Sequence, residues 1–141
     1  HVGRVQDIPE SLVDALSRAS ELTRKNSGLH VNLAVGYGGR IEIADAMRSI
    51  LAKHMASGGS LESLAQMMTP SLIADHLYTV GQPDPDLVIR TSGEQRLSDF
   101  MLWQSAHSEF YFVEALYPDL REVDFLRAIR DYASRHRRFG Q

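Results

Sequence analysis

The chain has 141 residues, carries a formal net charge of −3 and contains no cysteine, while 43% of its residues are hydrophobic. This length and composition predict one soluble domain or part of one, because enough apolar side chains are present for a packed core. The lack of cysteine excludes disulfides, thiolate catalysis and cysteine-ligated zinc. The acidic balance argues against a general nucleic-acid surface, and no apolar run approaches the roughly 18 residues of a membrane span.

The first part of the chain alternates apolar strand patterns with helical ones. Residues 1–5 resemble the end of a strand, and Asp7 with Glu10 predicts a capping box at the start of a first helix. The apolar segment from Leu29 to Val35 predicts a strand. The glycine-rich turn at residues 36–40 then predicts the start of a second, amphipathic helix.

The middle of the chain predicts two short helices between Ser60 and Leu77. The second should begin at Thr69, because Pro70 suits the first turn of a helix. The two prolines within residues 81–85 exclude a helix there and favour an extended connection.

The last third predicts two strands and a final helix. The strands are Leu87 to Ile89 and Phe110 to Phe112, Ser98 is expected to cap a short helical turn between them, and an apolar helical pattern spans residues 125–133. Strands that alternate with helices at this spacing indicate an α/β fold with a mostly parallel central sheet and helices on both faces.

Phosphate-type donors are concentrated in the loop that follows the strand at Leu87. Arg90 stands at the end of the strand, and Arg96 and Ser98 follow in the loop. Ligand sites of α/β proteins lie at the carboxyl ends of strands, and a guanidinium group matches two phosphate oxygens at once. The loop therefore predicts a diphosphate site, and Glu109 offers the kind of oxygen ligand that Mg²⁺ takes.

Each of these residues also has a simpler interpretation. Arg90 could form an ion pair with Asp84 or Asp86, Ser98 could only cap a helix, and Glu109 could be a solvated strand residue. The convergence of two arginines and a hydroxyl on one short loop favours the ligand site.

Other catalytic motifs fit the sequence poorly. Gly36 and Gly38 could begin a dinucleotide fingerprint, but Ile41 stands where the third glycine is needed, so a tight turn is the simpler interpretation. A serine hydrolase built from residues 105–109 is disfavoured, because alternate residues of one segment point apart and no nucleophile elbow is present. The six histidines show no metal-ligand spacing.

The run from Asp86 to Phe112, DLVIRTSGEQRLSDFMLWQSAHSEFYF, closely resembles the signature of the cis-prenyltransferases, the undecaprenyl diphosphate synthase family. The resemblance extends over essentially the whole chain, including the turn at residues 37–40 and the ending at residues 137–140. It implies an undecaprenyl-diphosphate-synthase-like α/β fold, of which residues 1–141 would be the carboxyl-terminal part of a single catalytic domain.

The resemblance implies a transferase that condenses isopentenyl diphosphate with an allylic diphosphate and forms a Z double bond. It implies Mg²⁺ as cofactor with Glu109 in the metal site, a cytoplasmic homodimer, and membrane contact in members that make long lipid products. The segment at residues 35–37 resembles short-chain members that make Z,E-farnesyl diphosphate. The residues that would hold isopentenyl diphosphate, the last two from the neighbouring subunit, are Arg90, Arg96, Ser98, Arg138 and Gly140.

The sequence departs from the family pattern at several points. Asp99 stands where Asn is usual, His107 where Tyr is usual, and Gln95 at a position that varies. The amino-terminal Asp-Gly-Asn motif of the family, which binds the allylic diphosphate, is absent from these residues. We therefore assign no catalytic residue here and expect this polypeptide alone to be inactive. A non-catalytic subunit of a heteromeric prenyltransferase and an unrelated α/β phosphate-binding module are the alternatives.

Overall fold

The computed structural model describes residues 1–135, and the chain divides into two compact units. The first unit runs from His1 to Gln82, and the second begins at Pro83. The first unit contains helices α1 (Glu10–Thr23), α2 (Gly39–Ala56), α3 (Leu61–Met67) and α4 (Pro70–Ala74). The second contains strands β1 (Leu87–Arg90) and β2 (Glu109–Phe112) and helix α5 (Glu122–Ser134). Short 3₁₀ turns lie at Val5–Asp7, Gln104–His107 and Tyr117–Asp119.

Helix α2 is the centre of the first unit. Ala46 and Ile50, one helical turn apart, are buried, and α2 packs against α4. The turn before α2 needs glycine at Gly36, where φ is 62° and an added Cβ would lie 2.9 Å from the carbonyl oxygen of Arg4. The tight turn by itself therefore explains why residue 36 is a glycine.

The two short helices begin where the sequence predicts. In α3, the Ser60 hydroxyl accepts a hydrogen bond from the Ser63 amide at 3.1 Å, and the Ser63 hydroxyl accepts one from the Ser60 amide. In α4, Thr69 caps the first turn by accepting from the Leu72 amide at 3.2 Å, and Pro70 follows it. Both starts are set by local residues, which explains why the sequence reveals them.

A buried polar network also organises the first unit. The fully buried Glu42 carboxylate accepts hydrogen bonds from the Tyr37 hydroxyl at 2.5 Å and the Tyr78 amide at 2.8 Å. The Tyr78 hydroxyl donates to Asp45, whose carboxylate also lies 3.6 Å from Nε of Arg4. Burial, together with the hydrogen bond to the Asp45 carboxylate, raises the pKa of Tyr78 to about 12.

Two predictions for the first unit are wrong. The capping box of Asp7 and Glu10 does not form, because Asp7 lies in a 3₁₀ turn and Pro9, which has no capping side chain, occupies the N-cap. The segment at residues 29–35 is not a strand: it makes a single parallel bridge, between Val2 and Ala34. A strand needs a continuous hydrogen-bonded neighbour, and Leu29 instead remains 91% exposed.

The second unit is built on a parallel pair of strands. Leu87 pairs with Glu109 and Arg90 with Phe112. Backbone hydrogen bonds at both ends extend the pairing, from Glu109 to Asp86 at 3.0 Å and from Val113 to Arg90 at 2.8 Å. Because successive strand residues face opposite sides, Arg90 shares a face with Phe112, whereas Glu109 projects from the other face.

Helix α5 packs against β2 and fully buries Ala128. Its first turn is closed by Asp124, which accepts from Nε of Arg121 at 2.9 Å and lies 3.3 Å from Nη1 of Arg127. The hydrogen bonds from the Arg121 guanidinium lower the pKa of Asp124. The predicted last helix is confirmed. It begins at Glu122, three residues before Phe125, where the apolar pattern starts.

The sheet of the described residues has two strands, and their predicted parallel direction is confirmed. A larger central sheet with helices on both faces stays a prediction. Within residues 1–135, no helix combines the length and apolar character required to cross a lipid bilayer.

Candidate functional site

The loop that follows β1 is held in place by the segment that follows β2. The Ser92 amide donates to the Ala115 carbonyl at 2.8 Å, and the Gly93 amide donates to the Val113 carbonyl at 2.9 Å. These two bonds fix the start of the loop next to Arg90, at the carboxyl end of the parallel strands. The ligand-bearing edge of an α/β sheet is at this end.

The backbone of this loop is unusually strained. Within residues 1–135, all non-glycine residues with positive φ lie in it, at Ser92 (78°), Ser98 (50°), Asp99 (63°) and Met101 (45°). Left-handed conformations of such residues cost of order 1 kcal/mol each and cluster at binding sites. The conformation of Ser98 also corrects one prediction, since an N-cap residue is extended and Ser98 therefore does not cap a helix.

Both predicted arginines converge on Glu94. Nη2 of Arg90 donates to Oε2 of Glu94, and Nη2 of Arg96 lies 2.6 Å from Oε1 of the same carboxylate. Arg90 also donates from Nη1 to the Arg96 backbone carbonyl. The simpler interpretation of Arg90 named Asp84 or Asp86 as its ion-pair partner, whereas the ion pair that Arg90 makes is with Glu94, inside the loop.

One cavity of about 220 Å³ brings the predicted phosphate donors together. It is lined by Arg90, Arg96 and Ser98, and its apolar walls include Val88 and Phe110. The Arg90 side chain is only 20% exposed, whereas that of Arg96 is 68% exposed. The cavity therefore has one largely buried cation, one exposed cation and an apolar wall, which suits a small ligand with an anionic head.

Glu109 lies away from this cavity. It is paired with Leu87, at the opposite end of the strand pair from Arg90, about 10 Å along the strands. Its Oε2 accepts a hydrogen bond from Nη1 of Arg135 at 2.7 Å, and this contact raises the pKa of the Arg135 guanidinium. The structure therefore does not bring Glu109 together with the arginine pair.

This placement bears on Mg²⁺. Mg²⁺ is held by one or two carboxylates together with substrate phosphates. Within residues 1–135, no group of three histidine, aspartate or glutamate side chains is placed to hold a metal ion. Among residues 1–135, Glu109 and the cavity of Arg90 do not form one Mg²⁺–diphosphate site, so we derive no chemical step through the ion.

The remaining predicted site residues, Arg138 and Gly140, lie outside the described residues. Glu94 is the residue of the site that sequence reasoning missed. A signal for it exists, because Glu94 stands four residues after Arg90 and two before Arg96, yet acidic residues in a phosphate loop are easily dismissed as solvated.

The parallel strand pair and the strained loop at its carboxyl end define an α/β arrangement in which two arginines line one cavity. Comparison with known proteins identifies the family. The family described as "Putative undecaprenyl diphosphate synthase" matches residues 1–140, and the chain belongs to this family of cis-prenyltransferases.

Individual relatives agree with this assignment. Isoprenyl transferase 1 of Streptomyces avermitilis is 59% identical over 140 residues, which cover 99% of this chain and 54% of the relative. The (2Z,6E)-farnesyl diphosphate synthase of Mycolicibacterium smegmatis is 62% identical over 119 residues, covering 84% of this chain and 45% of the relative. The chain therefore spans about half the length of these curated relatives.

The fold matches as well. The crystal structure of lavandulyl diphosphate synthase from Lavandula x intermedia in complex with dimethylallyl diphosphate superimposes with a TM-score of 0.89 and 42% sequence identity. The match covers 99% of this chain and 58% of that one. The crystal structure of a probable undecaprenyl diphosphate synthase from Campylobacter jejuni matches with a TM-score of 0.78 and 28% identity over 99% of this chain and 61% of that one, which confirms the predicted undecaprenyl-diphosphate-synthase-like fold.

Proposed function

We propose that the protein containing this chain condenses isopentenyl diphosphate with an allylic diphosphate to give a Z-isoprenyl diphosphate. The observation that carries the proposal is the single cavity lined by Arg90, Arg96 and Ser98. Two guanidinium groups and a hydroxyl supply enough donors for both phosphates of a diphosphate. Family membership and the names of the relatives support the same reaction class.

The cavity also suits the size of the smaller substrate. Its volume of about 220 Å³ is below the range of drug-sized pockets, roughly 300–1,000 Å³. Val88 and Phe110 provide an apolar wall beside the charged end. Arg90 and Arg96 would hold the diphosphate, and the apolar wall would orient the five-carbon tail, whose double bond is the nucleophile. Holding that group in one geometry lowers the entropic part of the barrier.

The finer parts of the proposal rest on the resemblance and on the relatives. We propose a short-chain product, (2Z,6E)-farnesyl diphosphate, because relatives of that name are 62% and 56% identical to this chain. We also propose a homodimer in which Arg138 and Gly140 of one copy reach the diphosphate of the other, a fuller parallel sheet with helices on both faces, and one catalytic domain that includes residues 1–141. Mg²⁺ with Glu109 in its site is also part of the proposal, and because Glu109 lies about 10 Å along the strands from Arg90, that ion would not be shared with the arginine pair of the same copy.

A product assay tests the proposal. The intact protein is incubated with Mg²⁺, labelled isopentenyl diphosphate and geranyl diphosphate, which already carries the E double bond of the expected product. Mass spectrometry should show a fifteen-carbon diphosphate, and chromatography should identify the 2Z isomer. Binding of isopentenyl diphosphate without any product would instead favour the non-catalytic subunit. Binding of unrelated phosphates alone would favour the phosphate-binding module.

A further inference from the structure

The arginine pair of the cavity is already neutralised in part by its own loop. One carboxylate, that of Glu94, bridges the guanidinium groups of Arg90 and Arg96 through its two different oxygens. A diphosphate presents the same feature to the same donors, namely anionic oxygens that span two guanidinium groups. Glu94 and a bound diphosphate therefore require the same hydrogen-bond donors.

We propose that Glu94 is an internal competitor for the anion, which a ligand must displace before it can occupy the arginine pair. This inference rests on the proposed function, because it takes a diphosphate as the ligand of Arg90 and Arg96. With Glu94 in place, Arg90, Arg96 and Glu94 together carry a net charge of +1, whereas the two arginines alone carry +2. The guanidinium edges that face Glu94 are occupied.

The surroundings allow such an exchange. The Glu94 side chain is 40% exposed, so it can turn into solvent without burying a charge elsewhere. Arg90 keeps its contact with the Arg96 carbonyl when Glu94 leaves. The backbone before Glu94 is tied at Ser92 and Gly93, so the displacement needs a rotation of the side chain and no movement of the loop start.

The consequence is a threshold for ligand binding. If only the open state of the loop binds anions, the apparent dissociation constant of every anion is raised by the same factor, the inverse of the open fraction. Weakly bound anions are thereby kept out at their ordinary concentrations, while the most tightly bound one still occupies the site.

The equal factor separates this competition from a simple charge effect. A general increase in positive potential strengthens the binding of diphosphate more than that of orthophosphate, because diphosphate carries more charge. Removal of an internal competitor strengthens both by one common factor. Two variants distinguish the internal competitor from the charge effect. Glu94→Asp keeps the charge but shortens the side chain. Glu114→Gln removes a charge from an exposed residue in the segment that follows β2.

The test is calorimetric titration of the intact protein with inorganic diphosphate and with orthophosphate. We expect Glu94→Asp, which keeps the charge, to tighten the binding of both anions by one common factor, Glu94→Gln to tighten both by about tenfold, and Glu114→Gln to leave both unchanged. Weaker or unchanged binding in Glu94→Gln, a clearly larger gain for diphosphate than for orthophosphate in Glu94→Asp, or a gain in Glu114→Gln equal to that in Glu94→Gln would overturn the inference.

The proposed function fails in a different way. If the unmodified protein binds diphosphate and Arg90→Ala abolishes that binding, the arginine site stands whatever Glu94→Gln does. If neither the unmodified protein nor Glu94→Gln binds diphosphate, the arginine site and the competitor are both refuted. Circular dichroism and thermal melting of each variant establish that the fold is kept.

Discussion

Nη1 of Arg135 donates a hydrogen bond to Oε2 of Glu109 at 2.7 Å, which joins the residue after α5 to the first residue of β2. Nη2 of Arg135 also forms an ion pair with Oδ2 of Asp131, at 2.7 Å. The carboxylate proposed to bind Mg²⁺ is therefore engaged by a cation of the same chain. Any Mg²⁺ that binds Glu109 has to compete with this guanidinium.

From this contact we predict that Arg135→Gln lowers the Mg²⁺ concentration needed for half-saturation in the presence of diphosphate, by about threefold. Glu109→Gln should raise it. Asp131→Asn is the control, because it removes the other partner of Arg135 but leaves the Glu109 contact intact. Mg²⁺ titration followed by calorimetry measures all three, and an unchanged Mg²⁺ requirement in Glu109→Gln would remove Glu109 from the metal site.

The two arginines of the cavity should differ in importance. Arg90 is held by two partners and is mostly buried, whereas Arg96 is largely exposed. A hydrogen bond to a charged group contributes about 1.5–3 kcal/mol, so Arg90→Ala should weaken diphosphate binding about 10- to 100-fold and raise KM for isopentenyl diphosphate. Arg96→Ala should have the smaller effect, because its side chain is more exposed and its hydrogen bonds compete more with water.

Two further variants sharpen this comparison. Arg90→Lys should recover little, because an ammonium group lacks the planar fork that contacts two oxygens. Arg130→Ala removes an exposed positive charge from α5 and should leave binding unchanged. Equal losses in Arg130→Ala and Arg90→Ala would mean that net charge, and not the cavity, sets the affinity.

The features that the sequence predicts correctly are those fixed by neighbouring residues. Thr69 and Pro70 start α4 through contacts within one turn, and Arg90 reaches the sheet edge because β1 ends there. The strand predicted from Leu29 failed because a strand depends on a neighbour elsewhere in the chain. The separation of Glu109 from Arg90 was likewise not predictable from the sequence, because it depends on the register in which β1 and β2 pair.

The candidate site also has features that were predictable from neighbouring residues and one that was not. The two arginines and Ser98 are close in sequence, so their convergence was predictable from spacing alone. The position of Glu94 between the guanidinium groups was not, because it depends on the left-handed turn at Ser92 and Gly93. Nothing in the composition of the loop requires a non-glycine residue such as Ser92 to adopt a positive φ.

The first unit should lose stability at high pH through Tyr78. Its pKa is about 12 in the folded protein and about 10 in an unfolded chain. A raised pKa gives a stabilisation that is fully present below pH 10 and is lost as the pH rises through 12. We expect Tyr78→Phe to be less stable at pH 8 by roughly 1 kcal/mol, from the lost hydrogen bond.

The difference between Tyr78→Phe and the unmodified protein should shrink between pH 10 and pH 12. Chemical denaturation at each pH measures it, and the ultraviolet absorbance of tyrosinate follows the ionisation directly. Tyr117→Phe is the matched control, because Tyr117 is 78% exposed. A constant difference across this range would contradict the assigned contact with Asp45.

The start of α5 should respond to acid. The hydrogen bonds from Arg121 lower the pKa of Asp124, whose side chain is 10% exposed. A lowered pKa gives a stabilisation that is present above the unfolded value, about 3.9, and is lost as the pH falls through the folded value. A carboxylate in the first helical turn is also favoured by the helix dipole while it is charged.

We therefore expect Asp124→Asn to melt at a lower temperature than the unmodified protein at pH 7, and the two melting temperatures to approach each other below pH 4. Hydrogen exchange should show the loss at the first turn of α5, where the Arg121 and Asp124 side chains close the helix. Asp14→Asn, at an exposed position of α1, should change neither the melting temperature nor its pH dependence. If Asp124→Asn keeps its deficit at pH 3, the stabilisation does not come from the charged carboxylate, and packing against Arg121 and Arg127 would be its source.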